Sequence, residues 1–98
     1  METINISWYE IGKKIDTLKN SLANKNEKIF GISKGGKIIA ALTGHGVEEP
    51  ALANIFLDDL YNTGKNYNKW IKKFPNKEYC FLFNQQFEFK NKLIIFPY

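Results

Sequence analysis

Two neighbouring carboxylates, Asp58 and Asp59, follow the apolar run Ile55-Phe56-Leu57 and precede Leu60-Tyr61-Asn62-Thr63-Gly64-Lys65. An apolar strand, two acids and then a short Thr-Gly loop opening a helix place both carboxylates at the carboxyl edge of a sheet. Open α/β folds bind their ligands there. Backbone N–H groups of a loop entering a helix, with the helix dipole behind them, suit a phosphate. Thr63 can add a hydroxyl donor, and Gly64 lets the backbone come close. Two carboxylates beside a phosphate repel it unless they contact hydroxyl groups or a hard cation. A ribose diol, or Mg²⁺ held through water, satisfies that condition. The chemistry described is recognition of a 5-phosphosugar with free hydroxyls. By turn chemistry alone, the same residues end a strand, cap a helix and make a turn.

A second segment, Gly31-Ile32-Ser33-Lys34-Gly35-Gly36, also follows an apolar strand and precedes a helix. Paired glycines with Ser33 and Lys34 make an anion cradle, Lys34 supplying a point charge. Any tight strand-to-helix turn can use Gly-Gly. Two such loops in one small domain carry more weight than either alone.

The elements that must hold these loops are readable from apolar spacing. Trp8, Ile11, Ile15, Leu18 and Leu22 recur every three or four residues and predict an amphipathic helix. Ser7 is its expected N-cap, and Glu10 completes a capping box. The polar stretch 24–27 breaks the pattern. Residues 28–32 (KIFGI) read as a short buried strand, 37–43 as a helix and 44–50 as a loop. Residues 53–57 read as a second strand, 60–64 as a loop, and 65–74 as a helix stopped by Pro75 and Asn76. Residues 78–83 and 93–96 are the third and fourth strands, the last ended by Pro97. The alternation predicts an α/β fold, a mostly parallel sheet of about four strands flanked by helices. No repeat or linker divides the 98 residues, so 1–98 is read as one domain.

Hydrophobic residues at 44% and aromatics at 15% exclude a disordered tail. The formal charge of +4 comes from fourteen Lys and no Arg. That balance suits a phosphorylated ligand, while the lack of Arg argues against sequence-specific DNA reading. Cys80 is the single cysteine, so no internal disulfide is expected, and its apolar run 79–83 predicts a buried, inert thiol. His45, between two glycines, reads as a turn residue. The aromatics between 79 and 89 read as core or dimer interface in preference to an RNA-stacking platform. With no signal-peptide h-region and no membrane-length apolar run, a cytoplasmic protein without membrane or nucleic-acid partners is expected. A homodimer would cover apolar surface that so small a domain cannot bury.

The pairing of S-K-G-G with D-D-L-Y-N-T-G-K-N, each after a strand, resembles the type I phosphoribosyltransferases. The ending Leu93-Ile94-Ile95-Phe96-Pro97-Tyr98 and the opening Ser7-Trp8-Tyr9-Glu10-Ile11 resemble the xanthine/hypoxanthine (purine) members. The resemblance implies a reduced, minimal form of that fold, transferring the phosphoribosyl group of phosphoribosyl pyrophosphate (PRPP) to a nucleobase with release of pyrophosphate. It implies that Asp58 and Asp59 hold the ribose hydroxyls and, through water, Mg²⁺. Leu60, Tyr61, Asn62, Thr63, Gly64, Lys65 and Asn66 would wrap the 5-phosphate, and Ser33, Lys34, Gly35 and Gly36 would bind pyrophosphate. The catalytic set would be Asp58, Asp59 and Lys34, and the base-binding set Gln85, Leu93, Ile94 and Phe96. The family's pyrophosphate loop also often carries a cis peptide.

Departures from the family pattern set up a competing expectation. The family places two strands and a long closing loop where this sequence has only residues 44–54. Amides at Phe83-Asn84-Gln85-Gln86 stand where the purine enzymes carry a base-reading Lys. Leu93 replaces a stacking Trp, and Asn66 replaces the final Thr or Ser of the phosphate loop. The alternative is a non-catalytic PRPP- or nucleotide-binding protein lacking the lid that keeps water from the reacting sugar.

Overall fold

The computed structural model describes residues 2–22 and 26–98. Its elements are β1 (Glu2–Asn5), α1 (Trp8–Ser21), β2 (Ile29–Gly31), α2 (Lys34–Thr43), β3 (Ile55–Tyr61), α3 (Lys65–Lys73), β4 (Glu78–Asn84), α4 (Gln85–Glu88) and β5 (Lys92–Ile95). Of the expected polar break at 24–27, positions 24 and 25 lie outside the described residues.

All strand pairs are parallel, but they form two sheets instead of one: β2-β3-β4 and β1-β5. Strand β1 escapes sequence reading because Glu2-Thr3-Ile4-Asn5 offers one apolar side chain, and its partner lies at the far end of the chain. Helix α1 forms as its spacing requires. It buries Ile11 and Ile15, and Ser7 Oγ accepts from the Glu10 N–H at 3.1 Å while Glu10 Oε1 accepts from the Ser7 N–H at 3.4 Å.

The three-stranded sheet is buried on both faces, as parallel sheets are. Period-two alternation sends Ile29, Ile55 and Leu57 toward α1 and α2, and Phe30 and Phe56 toward α3. On the α3 side Phe56 is in ring contact with Trp70, Phe74 and Tyr79 at 5.1–5.8 Å. Cys80 is half-buried, not fully buried, and burial pushes its thiol above the usual value.

Two boundaries differ from expectation where it matters. β3 does not stop at Leu57 but runs on through Asp58, Asp59, Leu60 and Tyr61, all paired along β4 or flanking pairs that are. α2 begins at Lys34, so Gly35 and Gly36 occupy its first turn instead of a loop before it. Each Gly costs about 1 kcal/mol against Ala inside a helix, and close approach explains why both are tolerated. A Cβ at Gly36 would sit 2.5 Å from the Leu57 carbonyl oxygen, and one at Gly35 would sit 1.9 Å from Asp59 Oδ2. Helix α2 therefore starts pressed against the middle of β3, just past the end of β2.

The 44–54 connection stays close to the sheet. Gly44 ends α2 in the left-handed conformation, at φ 80°. The Ile29 N–H then donates to the His45 carbonyl at 2.9 Å, and the Val47 N–H donates to the Ile29 carbonyl at 2.8 Å, covering that edge of β2. His45 Nδ1 lies 3.1 Å from the Glu27 carbonyl oxygen, in keeping with a turn residue. A short 3₁₀ turn at Pro50–Leu52 leads back to Asn54, whose side chain accepts from the Lys28 N–H at 2.7 Å.

Candidate ligand site at the strand ends

The carboxyl ends of β2 and β3 carry both loops picked out by sequence. Ser33 is the N-cap of α2: its Oγ accepts from the Gly36 N–H at 3.0 Å and donates to Asp58 Oδ1 at 2.5 Å. Asp58 Oδ1 also accepts from the Asp59 N–H at 2.8 Å, and the Asn66 amide reaches Oδ2 at 3.5 Å. One side chain thus joins the start of α2, the middle of β3 and the first turn of α3.

Asp58 is 2% exposed. Burial, reinforced by the neighbouring Asp59 side chain, raises its pKa to about 6 despite the Ser33 hydroxyl, which favours the ionised form. Asp59 is half-buried, and its Oδ2 accepts from the Tyr98 hydroxyl at 2.5 Å. Burial and that bond raise the Tyr98 phenol well above its ordinary value, so it stays a donor. The two acids therefore play different parts. Asp58 is an internal anchor, and Asp59 is half-buried against Tyr98.

The loop between β3 and α3 encloses a cavity of about 220 Å³, lined by Asp58, residues 60–67 and Phe81. Sites for drug-sized ligands begin at roughly 300 Å³, so this volume suits a compact group such as a phosphate. Gly64 caps α3 at φ 81°, and a Cβ there would also stand 2.7 Å from the Tyr61 hydroxyl, so no other residue fits without strain. Thr63 Oγ accepts from the Lys65 N–H at 3.3 Å.

Charge placement reinforces the anion reading. Helices favour acids in the first turn, because the unpaired N–H groups there carry positive charge. α1, away from the site, obeys with Glu10. α2 and α3, which open at the site, have no acid there and begin with Lys34 and Lys65. Positive side chains at positive helix ends favour an anion there.

The proposed base-binding residues are placed less uniformly. The Gln85 amide donates to the Phe89 carbonyl and, at 2.9 Å, to the Lys92 carbonyl, closing the turn from α4 into β5. Ile94 and Phe96 pack against the core, whereas Leu93, next to Ile94 on β5, is exposed on the opposite face. No cis peptide bond occurs among the described residues.

Hard carboxylate oxygens suit Mg²⁺. No cluster of three or more His, Cys, Asp or Glu side chains among the described residues could hold a metal unaided. With most of the acceptors on Asp58 already engaged, the donor set fits a cation held jointly with a ligand's own oxygens and water.

Sequence reading missed Tyr98, because its partner Asp59 is 39 positions away and no local pattern joins them. No helix among the described residues is long and apolar enough to cross a membrane.

No protein-family model and no curated protein matches this sequence. Among solved structures, the chain is similar to a purine phosphoribosyltransferase from Pyrococcus horikoshii, at TM-score 0.69 and 20% identity. The match covers 100% of this chain and 94% of that one.

Proposed function

From the premise that this chain has a type I phosphoribosyltransferase-like fold, we propose that it binds PRPP with Mg²⁺ and transfers the phosphoribosyl group to a nucleobase, a purine being the preferred acceptor. The observation that carries this reading is the convergence of two acid-free, lysine-led helix starts on the Asp58-Asp59 pair. The loop 62–65 would take the 5-phosphate, and the start of α2, with Lys34, would take the pyrophosphate. Asp59 would accept from the ribose hydroxyls, while Asp58 fixes the frame around them.

In the reaction, the bond from C1 to the pyrophosphate oxygen breaks and a bond from C1 to a base nitrogen forms. The electron pair leaves with pyrophosphate, and the base's proton passes to solvent. Lys34 and the α2 N–H groups stabilise charge developing on the leaving group. Asp58 and Asp59 would hold Mg²⁺ through water together with the ligand's oxygens, and the ion would supply further neutralisation of that charge.

A second reading, a PRPP-binding protein without turnover, is favoured by the path of residues 44–54. They cover the β2 edge and return to β3 instead of reaching over the acids. Incubation with PRPP, Mg²⁺ and a mixture of purine and pyrimidine bases, read by mass spectrometry, separates the two. A nucleoside monophosphate formed only with protein establishes transfer and names the base. Calorimetric PRPP binding without product leaves the binding reading. No PRPP binding by folded protein defeats both.

A further inference from the structure

The Tyr98 hydroxyl meets Asp59 Oδ2 at 2.5 Å, and its ring is held from two sides. Phe96 stacks on it with centroids 5.3 Å apart and planes 20° apart, and Trp8 lies tilted against it at 5.8 Å. Such contacts limit the ring's freedom and present the hydroxyl in one place. Opposite it, Gly35 leaves a space in which an added Cβ would lie 1.9 Å from Asp59 Oδ2 and 3.0 Å from the Tyr98 oxygen. The carboxylate is thus confined between the start of α2 and Tyr98. An aspartate on its own can turn about its side-chain torsions; Asp58 is anchored by Ser33, the Asp59 N–H and Asn66, whereas Asp59 meets Tyr98 and the side chain of Asp58.

We propose that Tyr98 is a positioning residue for Asp59: by engaging Oδ2 it fixes the carboxylate and leaves Oδ1 as the oxygen that accepts from a ribose hydroxyl. The inference rests on the PRPP reading of this site. Tyr98 acts through Asp59 and needs no contact with the sugar. Its contribution should therefore appear only with ligands that carry the diol.

Tyr98→Phe isolates the hydroxyl, because the ring and its two aromatic neighbours remain. Calorimetry on the unaltered chain and this variant, with Mg²⁺ and with PRPP, ribose 5-phosphate or pyrophosphate in turn, provides the test. The expected result is about tenfold weaker binding of PRPP and ribose 5-phosphate, the usual scale for losing a hydrogen bond to a charged group. Pyrophosphate, which offers Asp59 no hydroxyl, should bind the variant as it binds the unaltered chain. Equal weakening of all three ligands would assign Tyr98 a general structural role and overturn the proposal. Unchanged or tighter sugar binding would overturn it too, the latter marking Tyr98 as a competitor for Asp59. If the unaltered chain binds neither PRPP nor ribose 5-phosphate, the functional reading itself fails. Binding by the unaltered chain with no effect of Tyr98→Phe defeats the positioning role alone.

Discussion

Asp58→Asn should make this protein more stable and less able to bind its ligand. Burial raises the Asp58 carboxyl from 3.8 to about 6 in the folded chain. At about 1.4 kcal/mol per pKa unit, that shift corresponds to about 3 kcal/mol. The sign follows from proton uptake. Well below pH 3.8 the carboxyl is protonated whether the chain is folded or not, and no penalty applies. Between pH 4 and 6 the unfolded chain gives up its proton first, so the folded state loses stability as pH rises. Above about 6 the whole penalty is present. Asparagine keeps an oxygen to accept from the Ser33 hydroxyl and the Asp59 N–H, and it never ionises. The variant should exceed the unaltered chain by only about 0.5 kcal/mol near pH 4 and by up to about 3 kcal/mol at pH 7.5. In a chain this short, that amounts to a rise in Tm of roughly 10–25 °C. Thermal unfolding followed by circular dichroism from pH 4 to 7.5, in buffers free of phosphate, measures the difference. A Tm difference that does not grow with pH, or a variant less stable at pH 7.5, would refute the reasoning. PRPP binding should fall in the same variant, since a site that stores a buried charge gives up stability for function.

Ser33→Ala removes the α2 cap and a donor to buried Asp58 together, so a loss of about 1–3 kcal/mol is expected by denaturant unfolding. Glycines give a contrasting pair. Gly12→Ala, with nothing within 4 Å of the new Cβ, should gain about 0.5–1 kcal/mol, whereas Gly36→Ala drives a Cβ onto the Leu57 carbonyl and should lose about 1–3 kcal/mol. Both are read as shifts in the unfolding midpoint. Pyrophosphate at a hundred times its dissociation constant should raise stability by about 2.7 kcal/mol. The same addition to a Lys34→Ala variant should raise it less, as differential scanning fluorimetry would record.

The parts of the fold visible in sequence were those set by local chemistry. Ser7 and Glu10 make their capping box because both members lie within one turn. The Thr63-Gly64 turn forms as expected because glycine adopts its left-handed conformation without strain. Boundaries failed where tertiary contacts overrode propensity. Gly35 and Gly36 read as a loop because Gly disfavours helix, yet the approach of α2 to β3 selects residues without a Cβ. The strand β3 outran its apolar run because Asp58 is satisfied by Ser33, 25 positions away. Both acids stand out from their neighbours in sequence as candidates. Their unequal surroundings depend on Ser33, Asn66 and Tyr98, whose arrangement only the folded chain displays.

The pairing of β1 with β5 also bears on how the protein assembles. Ile29 and Ile55, or Ile55 and Glu78, are brought together by closing loops of about two dozen residues, whereas Glu2 must find Lys92 ninety positions away. Closing the longer loop costs more chain entropy before any contact repays it. The β2-β3-β4 sheet with α2 and α3 is therefore expected to condense first, and the β1-β5 ribbon to dock on it late. φ-values near zero at Ile94 and higher ones at Ile55 would mark that order, and the reverse pattern would exclude it. Tyr98 follows β5 directly, so Asp59 gains its hydroxyl partner only in this closing step. The ligand site would then be completed by the last part of the chain to fold.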